Sequence, residues 1–243
     1  MTNKTISVYA SWDINTRVFH WVNVVCIFML SILGLIMLNK GSIGISGAEA
    51  SIGLKTIHTI IGYVFAINLI VRIIWGFVGG PRARFSTLLP GKGYRQEVKN
   101  YTASIKAGEP RTFIGHNPKG RLSVLVMFLL FTVMMVTGMV RTGTDIYYPP
   151  FGGFAAKYVA AEGVSFKDIK PYDNTGTDAE KMDRLKTFKK PYGTIHIYTA
   201  YILWVLVLIH IIAVIRADAG GQGTLISAMF SGRKHLPREP HDL

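Results

Sequence analysis

The chain has 243 residues, of which 49% are hydrophobic and 17% are charged, whereas an ordinary soluble domain carries about 25% charged residues. A net charge of +13 would suit a nucleic-acid-binding protein, but the basic residues lie between apolar blocks and not along one helix face, so we expect no nucleic-acid partner. The single cysteine, Cys26, excludes an intrachain disulfide, a four-thiolate zinc site and a cysteine-held iron–sulfur cluster.

Four apolar stretches are each long enough to cross a bilayer, and they cover about residues 18–38, 56–79, 122–140 and 194–215. The first would span roughly 31 Å as a helix, which matches a hydrocarbon core of about 30 Å. Lipid leaves a single segment no other way to satisfy its own backbone amides. The sequence therefore predicts an all-α, integral membrane four-helix bundle that forms one domain over residues 1–243, with membrane lipid around it.

Three segments outside these spans have apolar side chains at helical spacing and predict short interfacial helices. The first segment has Tyr94, Val98, Tyr101 and Ile105; the second has Phe151, Phe154, Tyr158 and Val159; the third has Leu225, Ile226, Met229 and Phe230. The alternative is that these stripes simply cover the bundle.

The basic residues beside the spans predict the orientation. Residues 80–121 carry nine Lys or Arg and two acids, whereas residues 141–193 carry nine basic and seven acidic residues. The first pattern is typical of a cytoplasmic loop. We therefore expect a multi-pass protein of the bacterial inner (cytoplasmic) membrane with both termini in the cytoplasm.

Of the seven histidines, four lie inside the predicted spans: His20, His58, His196 and His210. Ionisable residues at that depth are costly and usually functional, although a lone one can be a hydrogen-bonded packing residue. His196 and His210 are 14 residues apart, about four turns, so they share one helix face at two depths. Because the spans alternate in direction, His20 falls at the level of His210, and His58 at the level of His196.

Each pair would bring two imidazoles together from different helices, which is typical of bis-histidine ligation of a haem iron. We therefore predict two stacked b-type haems, the inner one on His20 and His210 and the outer one on His58 and His196. Two axial imidazoles leave the iron no open position, so such haems carry electrons. A di-iron enzyme would need histidines three or four residues apart, and a metal transporter would usually need acidic residues inside the spans; the sequence has neither.

Two further residues lie at the predicted depths of the two haems. Arg72 lies 14 residues after His58 and therefore at the inner level, where it would pair with a haem propionate; the alternative is that it extends to the membrane interface. Gly34 lies 14 residues after His20, beside the outer haem, where the absence of a side chain admits a flat macrocycle.

The sequence resembles the b-type cytochrome subunit of membrane-bound nickel-iron hydrogenases, within the bacterial family of four-helix dihaem cytochromes b. The resemblance covers about residues 17–235 and rests on Arg17-Val-Phe-His20-Trp21, on residues 71–79, on Gly115-His116-Asn117-Pro118 and on residues 224–232. It implies that the four intramembrane histidines are haem ligands. Hydrogenase members often carry a further histidine one turn before the outer ligand of the last span, where this chain has Gly193.

The function that follows is that of an electron-transfer subunit of an oxidoreductase complex. It would pass electrons between a periplasmic partner, a hydrogenase-like enzyme or another redox protein, and the membrane quinone pool. His116 and Asn117 lie before the third span, near the depth of His210, and would hydrogen-bond a quinone carbonyl. Asn117 could instead cap the helix after Pro118, and His116 could be a solvated loop residue.

Two alternatives stay open at this point. One is a stand-alone quinol oxidoreductase that reduces a small oxidant such as superoxide at the outer haem. The other is a non-redox membrane scaffold with packing histidines. The sequence also leaves a homo-oligomer open.

Overall fold

The computed structural model describes residues 6–243, so the first five residues of the predicted domain lie outside the described range. The described residues form a two-stranded sheet and seven α-helices. In chain order these are β1 (Ser7–Ala10), α1 (Ile14–Asn39), α2 (Ala48–Val78), α3 (Tyr94–Lys106), α4 (Pro118–Ile146), α5 (Gly152–Val159), α6 (Ala179–Ala219), α7 (Leu225–Ser231) and β2 (Arg233–Leu236). Short 3-10 turns lie at Pro81–Ala83, Phe85–Thr87 and Phe166–Asp168.

The helices α1, α2, α4 and α6 are long and apolar enough to cross a membrane, with mean hydropathy between 2.0 and 2.5 in their most apolar 18 residues. The predicted all-α membrane bundle is confirmed, and the chain is a multi-pass membrane protein. Each helix begins before its predicted span, because polar residues next to an apolar stretch can continue the same backbone hydrogen bonds. The longest extension is at α6, where Asp178 caps the helix and its Oδ1 accepts from the Lys181 amide at 3.0 Å.

The chain forms two compact units. The terminal unit comprises Met1–Val22, Asn68–Leu129 and Leu203–Leu243, and the central unit comprises Asn23–Ile67 and Leu130–Ile202. Each long helix contributes one part to each unit. The predicted inner histidines, His20 and His210, fall in the terminal unit, and the predicted outer histidines fall in the central unit.

In the terminal unit the two ends of the chain meet. Strand β1 pairs with β2 in antiparallel register, with Ser7 opposite Leu236. Gly232 ends α7 with a φ of 77°, and a Cβ added there would lie 2.7 Å from the Trp12 carbonyl oxygen. Glycine is therefore needed for this turn. The Gly232 carbonyl in turn accepts from the Ser11 amide at 2.8 Å and so fixes the chain just before α1.

The same tail holds the segment that precedes α4. The Lys234 side chain is buried and donates to the Gly115 carbonyl oxygen at 2.7 Å, and this burial lowers the pKa of Lys234 to about 8. The Asp242 carboxylate accepts from the backbone amides of Ile114 and Gly115 at 2.6 and 2.7 Å. The loop that carries His116 is therefore held in place by the C-terminal residues.

In the central unit, the segment between α4 and α6 folds on a small core of its own. Five buried side chains form it: Ala155, Ala156, Val159, Ile169 and Leu185. The backbone closes around this core where the Asp178 amide donates to the Val159 carbonyl at 2.8 Å.

The three predicted short helices are present as α3, α5 and α7. Phe154 and Phe230 are exposed, as a helix on a membrane surface requires. Tyr101 and Val159, however, are buried in the protein, which agrees with the alternative that these apolar stripes cover the bundle. Each sits on the side of its helix that packs onto the rest of its unit.

Asp13 caps α1, and its removal is expected to destabilise the terminal unit. One carboxylate oxygen accepts from the Thr16 amide at 2.7 Å and the other from the Trp75 indole at 3.0 Å. Loss of such a cap typically costs about 0.5–2 kcal/mol, so Asp13→Ala should lower the free energy of unfolding by that amount. Thermal unfolding in detergent, followed by circular dichroism, measures it. Asp13→Asn keeps an acceptor, and an equal loss in that variant would contradict the capping role.

Candidate functional site

In the central unit, His58 from α2 and His196 from α6 face each other. Their ring centres are 6.3 Å apart and their planes are inclined at 68°. An imidazole nitrogen binds a metal ion at about 2 Å, and the ring centre lies roughly 1 Å further on. Two imidazoles on opposite sides of one metal ion therefore have ring centres about 6 Å apart, so the observed separation fits a single ion between the two rings.

A hydrogen bond between Thr137 and His196 orients the His196 ring. The Thr137 hydroxyl lies 2.9 Å from His196 Nδ1 and donates its one proton to the Val133 carbonyl at 2.7 Å. With that proton assigned to the Val133 carbonyl, we infer that His196 Nδ1 donates to the hydroxyl and that Nε2 keeps the lone pair. A ring fixed in this tautomer presents Nε2 as a metal ligand.

In the terminal unit, His20 from α1 and His210 from α6 lie within electrostatic range of each other. The Trp21 ring meets His20 edge-on at 5.1 Å between centres, and its indole donates to the Met229 carbonyl at 3.0 Å. The Nδ1 atoms of both His20 and His58 are buried and have no hydrogen-bond partner among residues 6–243. The structure thus brings the His58 and His196 rings together, and it places His20 and His210 in the same unit.

Arg72 lies in the terminal unit, which also contains His20 and His210. It is buried among three phenyl rings, whose centres are 5.2 to 5.7 Å from its guanidinium carbon: Phe19, Phe85 and Phe128. One terminal nitrogen donates to the Ala83 carbonyl at 3.0 Å. The other terminal nitrogen and Nε have no hydrogen-bond partner within the described part of the chain, which leaves two donors for a carboxylate such as a haem propionate.

The glycines of the long helices differ in their surroundings. A Cβ added at Gly34 or Gly62 would meet no atom of the described residues within 4 Å. A Cβ at Gly138 would lie 3.4 Å from His196 Cε1. Gly34 and Gly62 therefore border open space, and Gly138 allows the His196 ring to lie close to α4.

His116 and Asn117 lie side by side before α4 but differ in their contacts. The Asn117 side-chain oxygen accepts from the Gly120 amide at 2.8 Å, so Asn117 caps α4. The His116 ring is 4.6 Å from the Trp12 ring. Burial lowers the pKa of His116 to about 3, and the charges of Lys234, His210, Arg72 and Arg121 add to this effect. His116 is half-buried and is therefore neutral near pH 7, so its ring can donate or accept a hydrogen bond without a charge.

Two features of this region were missed in the sequence. Thr137 lies one residue before Gly138, and threonine inside an apolar span gives no distinctive pattern. A group of charges around Asp145 lies beyond residue 140, where the third span was predicted to end. The sequence does contain an indication of this group, because the acidic Asp145 follows Arg141 by four residues near the end of an apolar helix.

Four apolar helices with paired histidines from different helices are typical of b-type membrane cytochromes. A family model described as prokaryotic cytochrome b561 matches residues 11–232. The chain therefore belongs to this family of membrane cytochromes, carries haem b and transfers electrons in the membrane.

Curated relatives agree with this assignment. The chain is 26% identical to the probable Ni/Fe-hydrogenase B-type cytochrome subunit of Cupriavidus necator, over 95% of this chain and 88% of the relative. It is 27% identical to the protein of the same name in Rhizobium leguminosarum, over 94% and 89%. It is 26% identical to the probable Ni/Fe-hydrogenase 1 B-type cytochrome subunit of Escherichia coli K12, over 96% and 94%. No solved structure matches the chain.

Proposed function

We propose that the protein carries electrons across the bacterial inner membrane through two haems b. His58 and His196 hold one haem, and His20 and His210 hold the other. The observation that carries the proposal is the 6.3 Å separation of the His58 and His196 rings, which suits one iron between two imidazoles. Haem iron with two protein ligands accepts and releases single electrons.

The polypeptide contributes position and charge to each haem. The Thr137 hydroxyl fixes the His196 ring by accepting from Nδ1, so that Nε2 is presented to the iron. Arg72 offers its two unused donors to a propionate of the haem between His20 and His210. Gly34 leaves room beside the haem between His58 and His196.

A quinone is the proposed partner within the membrane, bound near the haem of the terminal unit. The neutral His116 offers a donor or an acceptor to a quinone oxygen. The Asn117 side-chain oxygen caps α4, so its amide nitrogen is the group that would donate to a quinone carbonyl. The Trp12 ring beside His116 supplies an aromatic surface.

The proposed partner at the opposite membrane surface is a periplasmic redox protein. The names of the relatives favour a hydrogenase-like enzyme. The orientation, with both termini in the cytoplasm, rests on the basic residues between α2 and α4. Electrons would pass between this partner and the quinone through the two haems.

Replacement of the paired histidines tests the ligand assignment. His58→Ala or His196→Ala should lower the haem content from two to one per chain, because one axial ligand is lost. His20→Ala or His210→Ala should remove the other haem. Haem is measured against protein by the pyridine haemochrome method, with His235→Ala, outside the long helices, as the control. If both members of a pair can be replaced without loss of haem, the assignment is wrong.

Thr137 variants test the orientation of His196. Thr137→Val removes the acceptor of the Nδ1 proton, and loss of such an outer partner typically weakens metal binding about 10- to 100-fold. The haem that depends on His196 should therefore transfer faster to apomyoglobin, while the other haem stays. Thr137→Ser retains the hydroxyl and should behave as the unaltered protein. Equal haem loss in both variants would point to packing and not to the hydrogen bond.

Asn117 variants test the quinone site. Asn117→Asp keeps an oxygen for the helix cap but removes the amide donor, so quinol should reduce the haems with an affinity lowered by about 2- to 13-fold, the effect of one lost hydrogen bond. Stopped-flow absorption measures the reduction, and haem content should be unchanged. Asn117→Ala should lose both the cap and the donor. Unchanged quinol reduction in Asn117→Asp would place the quinone elsewhere.

A further inference from the structure

Three cationic side chains converge on one carboxylate in the central unit. Asp145 Oδ2 accepts from Lys55 Nζ at 2.8 Å and from Arg141 Nη2 at 2.5 Å, and Asp145 Oδ1 lies 2.9 Å from Lys189 Nζ. The three cations come from α2, α4 and α6. We refer to Lys55, Arg141, Lys189 and Asp145 as the cationic cluster.

The charges of the cationic cluster do not balance. Three positive charges surround one negative charge, and the Asp145 side chain is only 6% exposed, against 26%, 34% and 26% for Lys55, Arg141 and Lys189. The carboxylate therefore lies inside the cluster and the cations lie around it. Two positive charges in excess, partly shielded from water, make this a site for anions.

The cationic cluster lies directly beside the His58 and His196 pair. Lys55 is one helical turn before His58 on α2, and Arg141 is one turn after Gly138, whose added Cβ would lie 3.4 Å from the His196 ring. Lys189 lies two turns before His196 on α6, on the same helix face. All three helices thus present a cation close to these rings.

Gly193 admits Arg141 to this position. A Cβ added at Gly193 would lie 2.1 Å from Arg141 Nη1, so any other residue would displace the guanidinium. Gly193 is one turn before His196, and its φ is not in the left-handed region. The glycine is explained by the close approach of the arginine and not by backbone conformation.

We propose that the cationic cluster binds the two propionate carboxylates of the haem held by His58 and His196. This inference rests on the proposed function. Arginine and lysine are the usual partners of carboxylates, and the two excess positive charges match the two propionates. Asp145 is then the internal anchor that fixes the three cations before haem binds. The same positive charge favours the reduced state of this haem, which carries one more negative charge.

Arg141→Gln tests the proposal, with Arg184→Gln as the matched control. Arg184 is on the same helix as Lys189, and its side chain is 69% exposed and paired with Glu180, so the control removes the same charge from outside the cluster. Potentiometric titration should show the reduction equilibrium of one haem becoming about tenfold less favourable, which is about 59 mV for one electron. That haem should be the one lost in His196→Ala. Its propionate bending band in the resonance Raman spectrum should shift as well.

Gly193→Ala provides a second variant that retains every charge. It should shift the same Raman band, because the added methyl group displaces the guanidinium, whereas Arg141→Lys should largely restore the potential. If the potential and the band of this haem in Arg141→Gln match those of the control, the proposal is overturned. A changed potential with an unchanged band also overturns it, because the charge then acts only at a distance. The failure of the proposed function is a separate result, namely that His196→Ala retains both haems.

Discussion

The placement of imidazoles inside an apolar bundle is the constraint on which the rest of the structure depends. A polar ring removed from water costs free energy unless its nitrogens are bonded. At His196 the Thr137 hydroxyl satisfies one nitrogen, and the other faces His58 across 6.3 Å between ring centres. A protein-only hydrogen bond cannot close that gap, but a metal ion between the rings can. Among residues 6–243 the buried Nδ1 atoms of His20 and His58 have no hydrogen-bond partner, so the helices offer these rings few polar groups. The proposed haems therefore complete the bonding of the helix interiors in addition to carrying electrons.

Positive charge accompanies histidines in both units. In the terminal unit Arg72 is buried among phenyl rings with two donors unused. In the central unit three cations surround Asp145. Buried donors and cations that lack a bonded partner are costly, so the two remaining donors of Arg72 and the excess cations around Asp145 both favour a further anion. A haem brings two carboxylates with its macrocycle, which suits both places. The two arrangements differ, since Arg72 is stabilised by the faces of phenyl rings and Arg141 by the carboxylate of Asp145.

The fold and the approach of His58 to His196 could be predicted from the sequence because both follow from simple periodicities. The length of an apolar stretch gives a membrane helix, and a spacing of 14 residues gives one face at two depths. The ends of the helices could not be predicted in this way: α6 begins at Ala179, far before its apolar part, because a polar helix on a capping Asp178 needs no hydrophobic pattern. Contacts between distant segments were also beyond reach. Two examples are the hydrogen bond between Thr137 and His196 and the close approach of Arg141 to Gly193. Both contacts depend on how α4 packs against α6, and no local sequence pattern predicts that packing. Asn117 has both a capping bond and a predicted role toward quinone, and sequence alone could not separate the two.

The interior of the bundle and its outer segment carry different information about function. The proposed haem ligands lie within the long helices, and the cytochrome b561 family model matches residues 11–232. The segment between α4 and α6, which lies on the side of the proposed periplasmic partner, forms a separate core around Val159 and Ile169. Because this segment has its own core, it presents a fixed surface and does not adapt to its partner as a flexible loop would. A partner that binds there needs a matching shape. Gly193 lies where this segment meets the proposed haem site. The space beside this glycine is filled by the Arg141 side chain and not by an imidazole. A relative with histidine at that position would have to move the arginine, and with it the charge beside the proposed haem. The electron-carrying role can thus be shared across the family while the potential of one haem and the partner differ.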